Sequence, residues 1–348
     1  MTRSRSTLFA RALPALALGC LASVAFAPTV LAQDGPQSRP TTPTRPKAPT
    51  RALRWTLPKG WTAKTPSSRM RAMEAEIPGG LRVVIYHFGK GRGGTPQANL
   101  DRWLGQIKPE GGRAAKDVAR RSLRVQNRLV IRSLDVNGTY VAETAPGSGK
   151  FVNKPGQRLM AAVVEGGDGP YFVKPIGVAK AVEAQVKSFY KFLGSLDTGS
   201  RQGLVLSPPA GWTAAPPTNR MRWAELKLGD DLSLVVYFFG EGSGGGVEAN
   251  FTRWLGQING PEGGPVEGKR GKLSANGLVI HTLDASGTYL SGMPGRPKVA
   301  REGYRLLGAV VVGAGGPYFM KLVGPKAAVA KQEKAYQAFL RQGLAAIK

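Results

Sequence analysis

Apolar and polar residues alternate along much of the chain, a pattern that predicts β-strands. Residues 70–77 alternate in this way, and so do residues 222–228, where Arg222 shares one strand face with apolar side chains. Residues 81–88 and 232–239 are instead apolar on both faces, which is typical of a central strand covered on both sides. The pattern therefore predicts two neighbouring strands early in each half of the chain.

A helical period replaces this alternation at two places and predicts helices there. The first helix follows a glycine-rich loop and carries one apolar stripe, formed by Leu100, Trp103, Leu104 and Ile107. The second closes the first half, and its apolar positions are Val182, Val186, Phe189, Leu193 and Leu196. We expect one inserted helix and one C-terminal helix in each half.

Hairpins are predicted between these helices. Residues 121–135 contain two strand-like runs, and Asn137-Gly138 directly after them has the composition of a tight hairpin turn. Residues 159–164 and 171–176 form a further predicted hairpin. The order of strands, helix, hairpins and helix predicts the α+β class, with an antiparallel sheet on which both helices pack.

This order of elements occurs twice. The segment NLDRWLGQI at residues 99–107 returns as NFTRWLGQI at residues 250–258, with seven of nine positions unchanged. The offset between matching residues drifts only from 151 (99 to 250) to 147 (GPYF at 169 and 316), so we predict a tandem duplication into two homologous domains. The predicted division is a signal peptide at 1–32, a proline-rich linker at 33–52, repeat domain 1 at 53–197, a linker at 198–203 and repeat domain 2 at 204–348.

The first 32 residues have the composition of a secretory signal peptide, with a basic start, an apolar run and small residues before a cleavage site at Gln33. The run is too short, and too interrupted by proline, to span a bilayer permanently. Lipid attachment at Cys20 is an alternative, but Ala17 stands where a lipobox has leucine. We therefore predict export to the periplasm or the extracellular medium by simple cleavage.

The counts of cysteine and histidine exclude several kinds of chemistry. Cys20 is the single cysteine, so the predicted mature chain has no disulfide, thiolate ligand or cysteine nucleophile. His87 and His281 are the two histidines, and they stand at non-equivalent positions of the repeats. Zinc sites and serine–histidine triads therefore lack the residues from which they are built. We expect no metal and no cofactor.

The chain is strongly basic, with 49 lysine and arginine residues against 22 acidic residues. Three of the basic residues lie in the predicted signal peptide, which leaves a formal net charge of +24 on the remainder. Such a charge favours contact with polyanions, although a soluble, self-repelling surface is the alternative. Residues four apart face the same way in a helix or a strand. The candidate polyanion-binding residues are therefore the basic residues with this spacing, Lys116, Arg120, Arg124, Arg128 and Arg132.

Each repeat carries a GxGxxG pattern between a strand and a helix, at residues 89–94 and 240–245. Dinucleotide sites use this pattern, but hairpins follow the helix here, where a Rossmann unit needs a parallel strand. We therefore expect no dinucleotide. The loop is either a connection that needs positive backbone angles or a place where backbone amides hold a simple anion. Strong anion binding by both loops is disfavoured, because Lys90 and Arg92 are not kept in the second repeat.

A polar row runs beside the apolar stripe of the inserted helix. Amide and guanidinium groups next to an indole ring can recognise a ligand, because they supply directed donors and a stacking face. The same side chains can instead hold a neighbouring loop by hydrogen bonds to its backbone. The candidate ligand-binding residues are Asn99, Arg102, Trp103 and Gln106 in the first repeat, and Asn250, Arg253, Trp254 and Gln257 in the second.

Arg71 and Arg222 share a strand face with apolar residues, so we expect both to point inward and to need a carboxylate. Glu74 with Glu225, and Asp135 with Asp284, are the repeated carboxylates. The candidate residues of a structural ion pair are Arg71, Asp135, Arg222 and Asp284. An acid–base role for the two glutamates is the alternative, although each repeat offers one such carboxylate without a repeated partner nearby in sequence.

The signatures GW, RMR, FGxGxGG and NxxRWLGQI occur in this order in both repeats. Together they resemble an uncharacterised exported domain of bacteria. The order from Gly-Trp through strands, helix and hairpins to a terminal helix is similar to the PsbP/Mog1 fold, and the similarity covers almost all of both repeats. The resemblance implies a fold alone, because no functional residue of the photosystem or Ran-binding relatives has a matching motif in this chain.

The sequence leaves three functions open. The first is an exported, non-enzymatic tandem module that binds a cell-envelope component or a protein partner, without a permanent membrane span. The second is binding of acidic polysaccharide, lipopolysaccharide or nucleic acid through the first repeat. That repeat has 24 basic and 11 acidic residues between 54 and 197, against 17 and 10 between 204 and 348. The third is a hydrolase of unknown type.

Overall fold

The computed structural model describes residues 53–144, 147–199, 203–217, 221–229, 231–292, 297–313 and 315–347. The predicted signal peptide with Cys20, the proline-rich linker, half of the linker at 198–203 and Arg220 of the second RMR motif lie outside the described residues. The described residues belong to one compact unit.

The two halves repeat nearly the same order of elements. In the first half the strands are β1 Thr62–Lys64, β2 Arg71–Ile77, β3 Leu81–His87, β4 Ile107–Lys108, β5 Arg120–Gln126, β6 Leu129–Glu143, β7 Phe151–Gly166, β8 Gly169–Val173 and β9 Ile176–Val178. The α-helices there are α1 Pro96–Leu104, α2 Ala115–Val118 and α3 Ala179–Gly194.

The second half begins with one additional strand and ends with another. Its strands are β10 Leu204–Leu206, β11 Trp212–Ala215, β12 Arg222–Leu228, β13 Leu232–Phe238, β14 Ile258–Asn259, β15 Lys269–Ala275, β16 Leu278–Ser291, β17 Val299–Gly313, β18 Gly316–Pro325 and β19 Leu344–Ala346. The α-helices there are α4 Val247–Leu255 and α5 Lys326–Ala338.

The strands form two antiparallel sheets. The first has the order β1-β2-β3-β8-β7-β6-β5-β10-β19, with β4 beside β6 and β9 beside β7. The second has the order β11-β12-β13-β18-β17-β16-β14, with β15 beside β16. The predicted α+β class is confirmed, with two sheet-based domains that each carry an inserted helix and a C-terminal helix.

Each sheet is covered by one long helix on either face. In the first half, α1 buries Trp103 against one face, and α3 buries Phe189 against the opposite face. Strand β3 is covered on both sides, as its pattern predicts, because Ile85 belongs to the core under α3 while Tyr86 packs with the core under α1. Helices α4 and α5 bury their apolar sides in the same manner in the second half.

The sequence boundary at residue 204 does not divide the core. Strands β10 and β19 come from the second half but extend the first sheet, and Val205 and Leu206 of β10 pair with Gln126 and Val125 of β5. Val125 also lies in the same apolar cluster as the core of the second half. The two repeats are therefore joined by strand pairing and by shared burial of apolar surface.

The equivalent edge of the second sheet is protected by charge. Strand β15 pairs with β16, and no other described strand lies on its outer side. Lys269, Arg270 and Lys272 stand exposed along it. Basic side chains on an edge strand discourage the addition of a further strand.

The predicted hairpin turn at Asn137-Gly138 is wrong. Strand β6 continues through both residues to Glu143, and the tight turn lies earlier, at Asn127-Arg128, where both residues have positive φ. Glycine is needed at position 138 for another reason. A Cβ atom there would stand 2.4 Å from the carbonyl oxygen of Lys108 in β4, so only glycine lets the two backbones approach this closely.

We expect Gly138→Ala to destabilise the fold by about 2 kcal/mol or more, because the contact is with backbone and φ is +158°. Urea unfolding at equilibrium measures the loss. Gly167→Ala is the matched control, since its Cβ would meet no atom within 4 Å. Equal stability of the two variants would contradict this explanation of Gly138.

Candidate functional site

The polar row of α1 lies where the glycine loop, the helix and β8 meet. Asn99 is buried, and its side-chain amide donates to the carbonyl oxygens of Gly93 (2.8 Å) and Thr95 (3.0 Å). Asn250 makes the same two bonds to Gly244 and Gly246. This asparagine therefore holds the glycine loop against the helix in each repeat. Of the two predicted roles, ligand binding and support of a neighbouring loop, these bonds correspond to the second.

Arg102 is exposed on the surface of α1. One guanidinium nitrogen donates to Asn99 Oδ1 at 2.6 Å, and Arg253 donates to Asn250 in the same way. Within the described parts of the chain, neither arginine has a carboxylate within 4 Å of its guanidinium nitrogens. Each guanidinium is thus oriented by a neutral amide and keeps donors available for a ligand.

Gln106 accepts a hydrogen bond from Lys174, a cation that the sequence analysis did not identify. Lys174 directly follows β8, and its ammonium group donates to Gln106 Oε1 at 2.6 Å and lies 5.3 Å from the ring centre of Tyr140. The sequence feature that could have identified Lys174 is a lysine at the same place after GPYF in both repeats, at the end of an otherwise apolar run.

Lys321 repeats the arrangement in the second half. Its ammonium group donates to Gln257, lies 3.1 Å from the hydroxyl oxygen of Tyr289 and 4.9 Å from the centre of that ring. Tyr289 is the equivalent of Tyr140. An amide oxygen and an aromatic face both favour the charged ammonium, but neither neutralises it.

Both lysines are perturbed in the same direction. Burial, and to a smaller extent the nearby charge of Arg102, together lower the pKa of Lys174 from its usual 10.5 to about 8. Burial and Arg253 likewise lower the pKa of Lys321 to about 8. Both groups are therefore still mainly protonated at pH 7. No carboxylate lies within 4 Å of either ammonium group among the residues that the structure covers.

These groups border a cavity of about 600 Å³ on the α1 side of the first sheet. Trp103 lies in its wall, edge-on to Phe172 at 6.3 Å between ring centres. The lining residues are Tyr86, Phe88, Gly93, Gly94, Ala98, Asn99, Arg102, Trp103, Gln106, Phe172 and Lys174. Positive charge and directed amides thus face an aromatic wall, which is the composition of a site for an anionic ligand.

All eleven lining positions carry the identical residue in the second repeat. They are Tyr237, Phe239, Gly244, Gly245, Ala249, Asn250, Arg253, Trp254, Gln257, Phe319 and Lys321. Retention is not general even in this neighbourhood, since Lys90 and Arg92 of the adjoining loop correspond to Glu241 and Ser243. The pocket chemistry is therefore the part of this region that duplication has left unchanged.

The five basic residues spaced by four do not form one surface. Lys116 lies in α2, Arg120 and Arg124 lie in β5, Arg128 lies in the turn, and Arg132 lies in β6. Pairing places Arg132 opposite Leu123 and Arg124 opposite Ile131, so Arg124 and Arg132 project from opposite faces of the hairpin. The spacing argument fails because the chain reverses direction between these residues.

The repeated arginines and carboxylates form two separate ion-pair systems. Arg71 contacts Glu74 at 2.7 Å and Arg222 contacts Glu225 at 2.6 Å, so neither arginine contacts Asp135 or Asp284. Those aspartates are bound by further repeated arginines that the sequence argument overlooked, Arg158 and Arg305. Each of these two arginines also contacts a glutamate of the C-terminal helix, Glu183 or Glu333.

Glu74, considered for acid–base chemistry, holds its loop through one carboxylate oxygen. One of its oxygens accepts from the backbone N–H (2.8 Å) and the hydroxyl (2.7 Å) of Ser67 and from Arg71. These hydrogen bonds lower the pKa of Glu74 to about 2, and the bond from the backbone N–H of Ser67 has the largest effect. A carboxyl group with this pKa is ionised near neutral pH and has no proton to donate.

No family model matches the chain, and no curated protein matches it in sequence. Among the helices that the structure describes, none has the length and apolar character needed to cross a membrane. The described histidines, aspartates and glutamates form no group of three or more suited to a metal ion.

Proposed function

We propose that the protein is an exported tandem binding module, in which each repeat holds one anionic group of a cell-envelope component. One observation carries the proposal: two cations without an acidic partner face an aromatic wall, and all eleven lining residues recur in the second repeat. Side chains that only support a fold can vary together with their neighbours. A lysine and an arginine kept close to each other in both copies repel one another, and a bound anion would relieve this repulsion.

The site supplies the contacts that an anion attached to a ring needs. Lys174 offers a point charge, and Arg102 offers a planar fork of donors that suits carboxylate and phosphate groups. Phe88 and Tyr86 present parallel ring faces beside these charges, with their centres 6.4 Å apart. Export, predicted from residues 1–32, and the basic charge of the chain are consistent with a ligand in the envelope.

Isothermal titration of the full chain with D-galacturonate tests this function, with galactose as the neutral control. We expect two sites per chain in the wild type, one in Lys174→Met or Lys321→Met, and none in the double variant, because a lost charge contact weakens binding at least about tenfold. A parallel titration with inorganic phosphate distinguishes carboxylate from phosphate recognition.

Lys187→Gln, on an exposed position of α3, is the matched control and should retain both sites. Unchanged binding of galacturonate and phosphate by the double lysine variant, or no binding of either by the wild type, would contradict the proposed function.

A further inference from the structure

A second cavity, of about 670 Å³, lies where the two repeats meet. Its walls come from β5 and β6, from Gln97 and Leu100 of α1, from the C-terminal part of α3 and from residues 207–213 of the second half. This cavity does not occur once in each repeat, because residues of both halves form its walls. It shares no lining residue with the pocket of the first repeat or with the matching residues of the second.

An interrupted strand pairing creates this cavity. Strand β10 pairs with β5 at Gln126 and Val125 only, and Pro208 and Pro209 follow two residues later. Proline has no backbone N–H to donate, so the ladder cannot continue through these positions. The outer edge of β5 from Arg121 to Leu123 is left facing the cavity without a described partner strand.

Arg124 stands in this cavity without a counter-charge. Its guanidinium makes no hydrogen bond or ion pair with any described residue, and its Nε atom is buried. Loss of water around the group lowers the pKa of Arg124. Arg132, which lines the cavity from the opposite face of the hairpin, is by contrast engaged with Glu165 and with the carbonyl oxygen of Ala214.

The fold itself does not need an arginine at this position. Arg124 pairs with Ile131 across the hairpin, and in the second repeat Leu273 pairs with Ile280 in the same register. The same hairpin thus forms with leucine there. A half-buried arginine whose Nε atom is buried without a partner costs stability, so its place in the cavity between the repeats calls for a ligand that neutralises it.

The remaining lining defines the chemistry of that ligand. No aspartate or glutamate is among the lining residues, and most of the exposed lining is apolar, including Leu123, Leu193, Tyr190 and Trp212. A bound peptide strand is disfavoured, because the free edge spans about three residues whereas strands commonly need about five or six. A small molecule with one acidic end and an apolar body fits these walls.

We propose that the cavity between the repeats binds one amphipathic carboxylate, such as a medium-chain fatty acid. Its carboxylate contacts the Arg124 guanidinium, and its hydrocarbon part lies against the apolar side chains of both halves. Because residues of both repeats form the walls, the bound molecule stabilises the junction between them.

Titration of the full chain with laurate, below its micellar concentration, tests the proposal. We expect one site per chain, at least about tenfold weaker binding in Arg124→Leu, and weaker binding of the neutral analogue dodecanol. Leucine is the residue that the second repeat uses at this position, so the variant should fold. Arg82→Leu, the same exchange at an exposed strand position, is the control and should bind as the wild type does.

Laurate binding should also persist in the variant that carries both Lys174→Met and Lys321→Met, which separates this site from the repeated pockets. The proposal is overturned if the wild type does not bind laurate, if Arg124→Leu binds it within twofold of the wild type, or if dodecanol binds equally well. Loss of laurate binding in the double lysine variant alone would assign the ligand to the repeated pockets instead.

Discussion

Lys174→Met should raise the free energy of unfolding and, in the same protein, abolish anion binding at the first pocket. The lysine is partly buried beside an amide oxygen and an aromatic ring but without a described carboxylate, and its pKa is lowered to about 8. Methionine is of similar length and fills the space without a charge. We expect a gain of about 1–3 kcal/mol, the order implied by such a displaced pKa.

Equilibrium unfolding in urea at pH 7 measures this gain for Lys174→Met, Lys321→Met and the double variant. Side chains kept for binding often lower stability, whereas side chains kept for the fold raise it. A loss of stability in both single variants would therefore mean that the lysines hold the fold through Gln106 and Gln257, and would remove the physical basis of the proposed function.

The pH dependence of the wild type is an internal control. Below pH 8 the lysines are protonated in the folded and the unfolded chain, and the cost of their burial is fully present. Between about 8 and the usual lysine pKa of 10.5 the unfolded chain binds more protons, so stability rises with pH in this window. The rise should be smaller in the double variant, because the two displaced lysines are missing.

Arg158→Met should destabilise the protein by about 3–5 kcal/mol, the usual cost of leaving a buried charge without its partner. Arg158 donates to both oxygens of Asp135 at 2.7 Å, and the two side chains are 3% and 4% exposed. Asp135 retains only a contact with Arg120, whose side chain is 72% exposed. Urea unfolding with an unchanged denaturant slope would show the effect.

The second repeat provides the matched comparison. Arg305 binds Asp284 with the same two-pronged geometry, but these side chains are 13% and 31% exposed. Water can reach Asp284 after Arg305→Met, so we expect a clearly smaller loss. Combining Arg158→Met with Asp135→Leu should recover part of the stability, since the unpaired carboxylate is then gone. Equal losses in the two repeats would contradict the role assigned to burial.

Local periodicity was sufficient to predict the class of the fold. The apolar stripe from Leu100 to Leu104 gives α1, although Ile107, predicted in the same helix, lies in β4. The doubly apolar run at 81–88 gives β3, and the spacing from Val182 to Leu193 gives α3. These patterns are reliable because a side chain's face depends on its position within one element. The Asn137-Gly138 turn was mispredicted because the demand for glycine there comes from Lys108 on another strand.

The candidate site was predicted only in part. Asn99, Arg102 and Trp103 stand on α1 and Gln106 lies in the turn directly after it, so their row was visible from spacing. Lys174 was missed because it lies 68 residues from Gln106, although its recurrence as Lys321 was a usable signal. Arg158 was also missed, because its partner Asp135 lies on a neighbouring strand and not nearby in sequence.

The sequence by itself determined that this chain is a duplication, which residues face the core in each element, and that thiol and histidine chemistry have almost no residues to use. The tertiary structure alone decided which cations lose their water and which of them meet a carboxylate. Desolvation and charge pairing depend on side chains brought together from distant segments, and no pattern along one segment encodes those distances. Lys174, Lys321 and Arg124 are therefore distinguished from other basic residues only once the chain is folded.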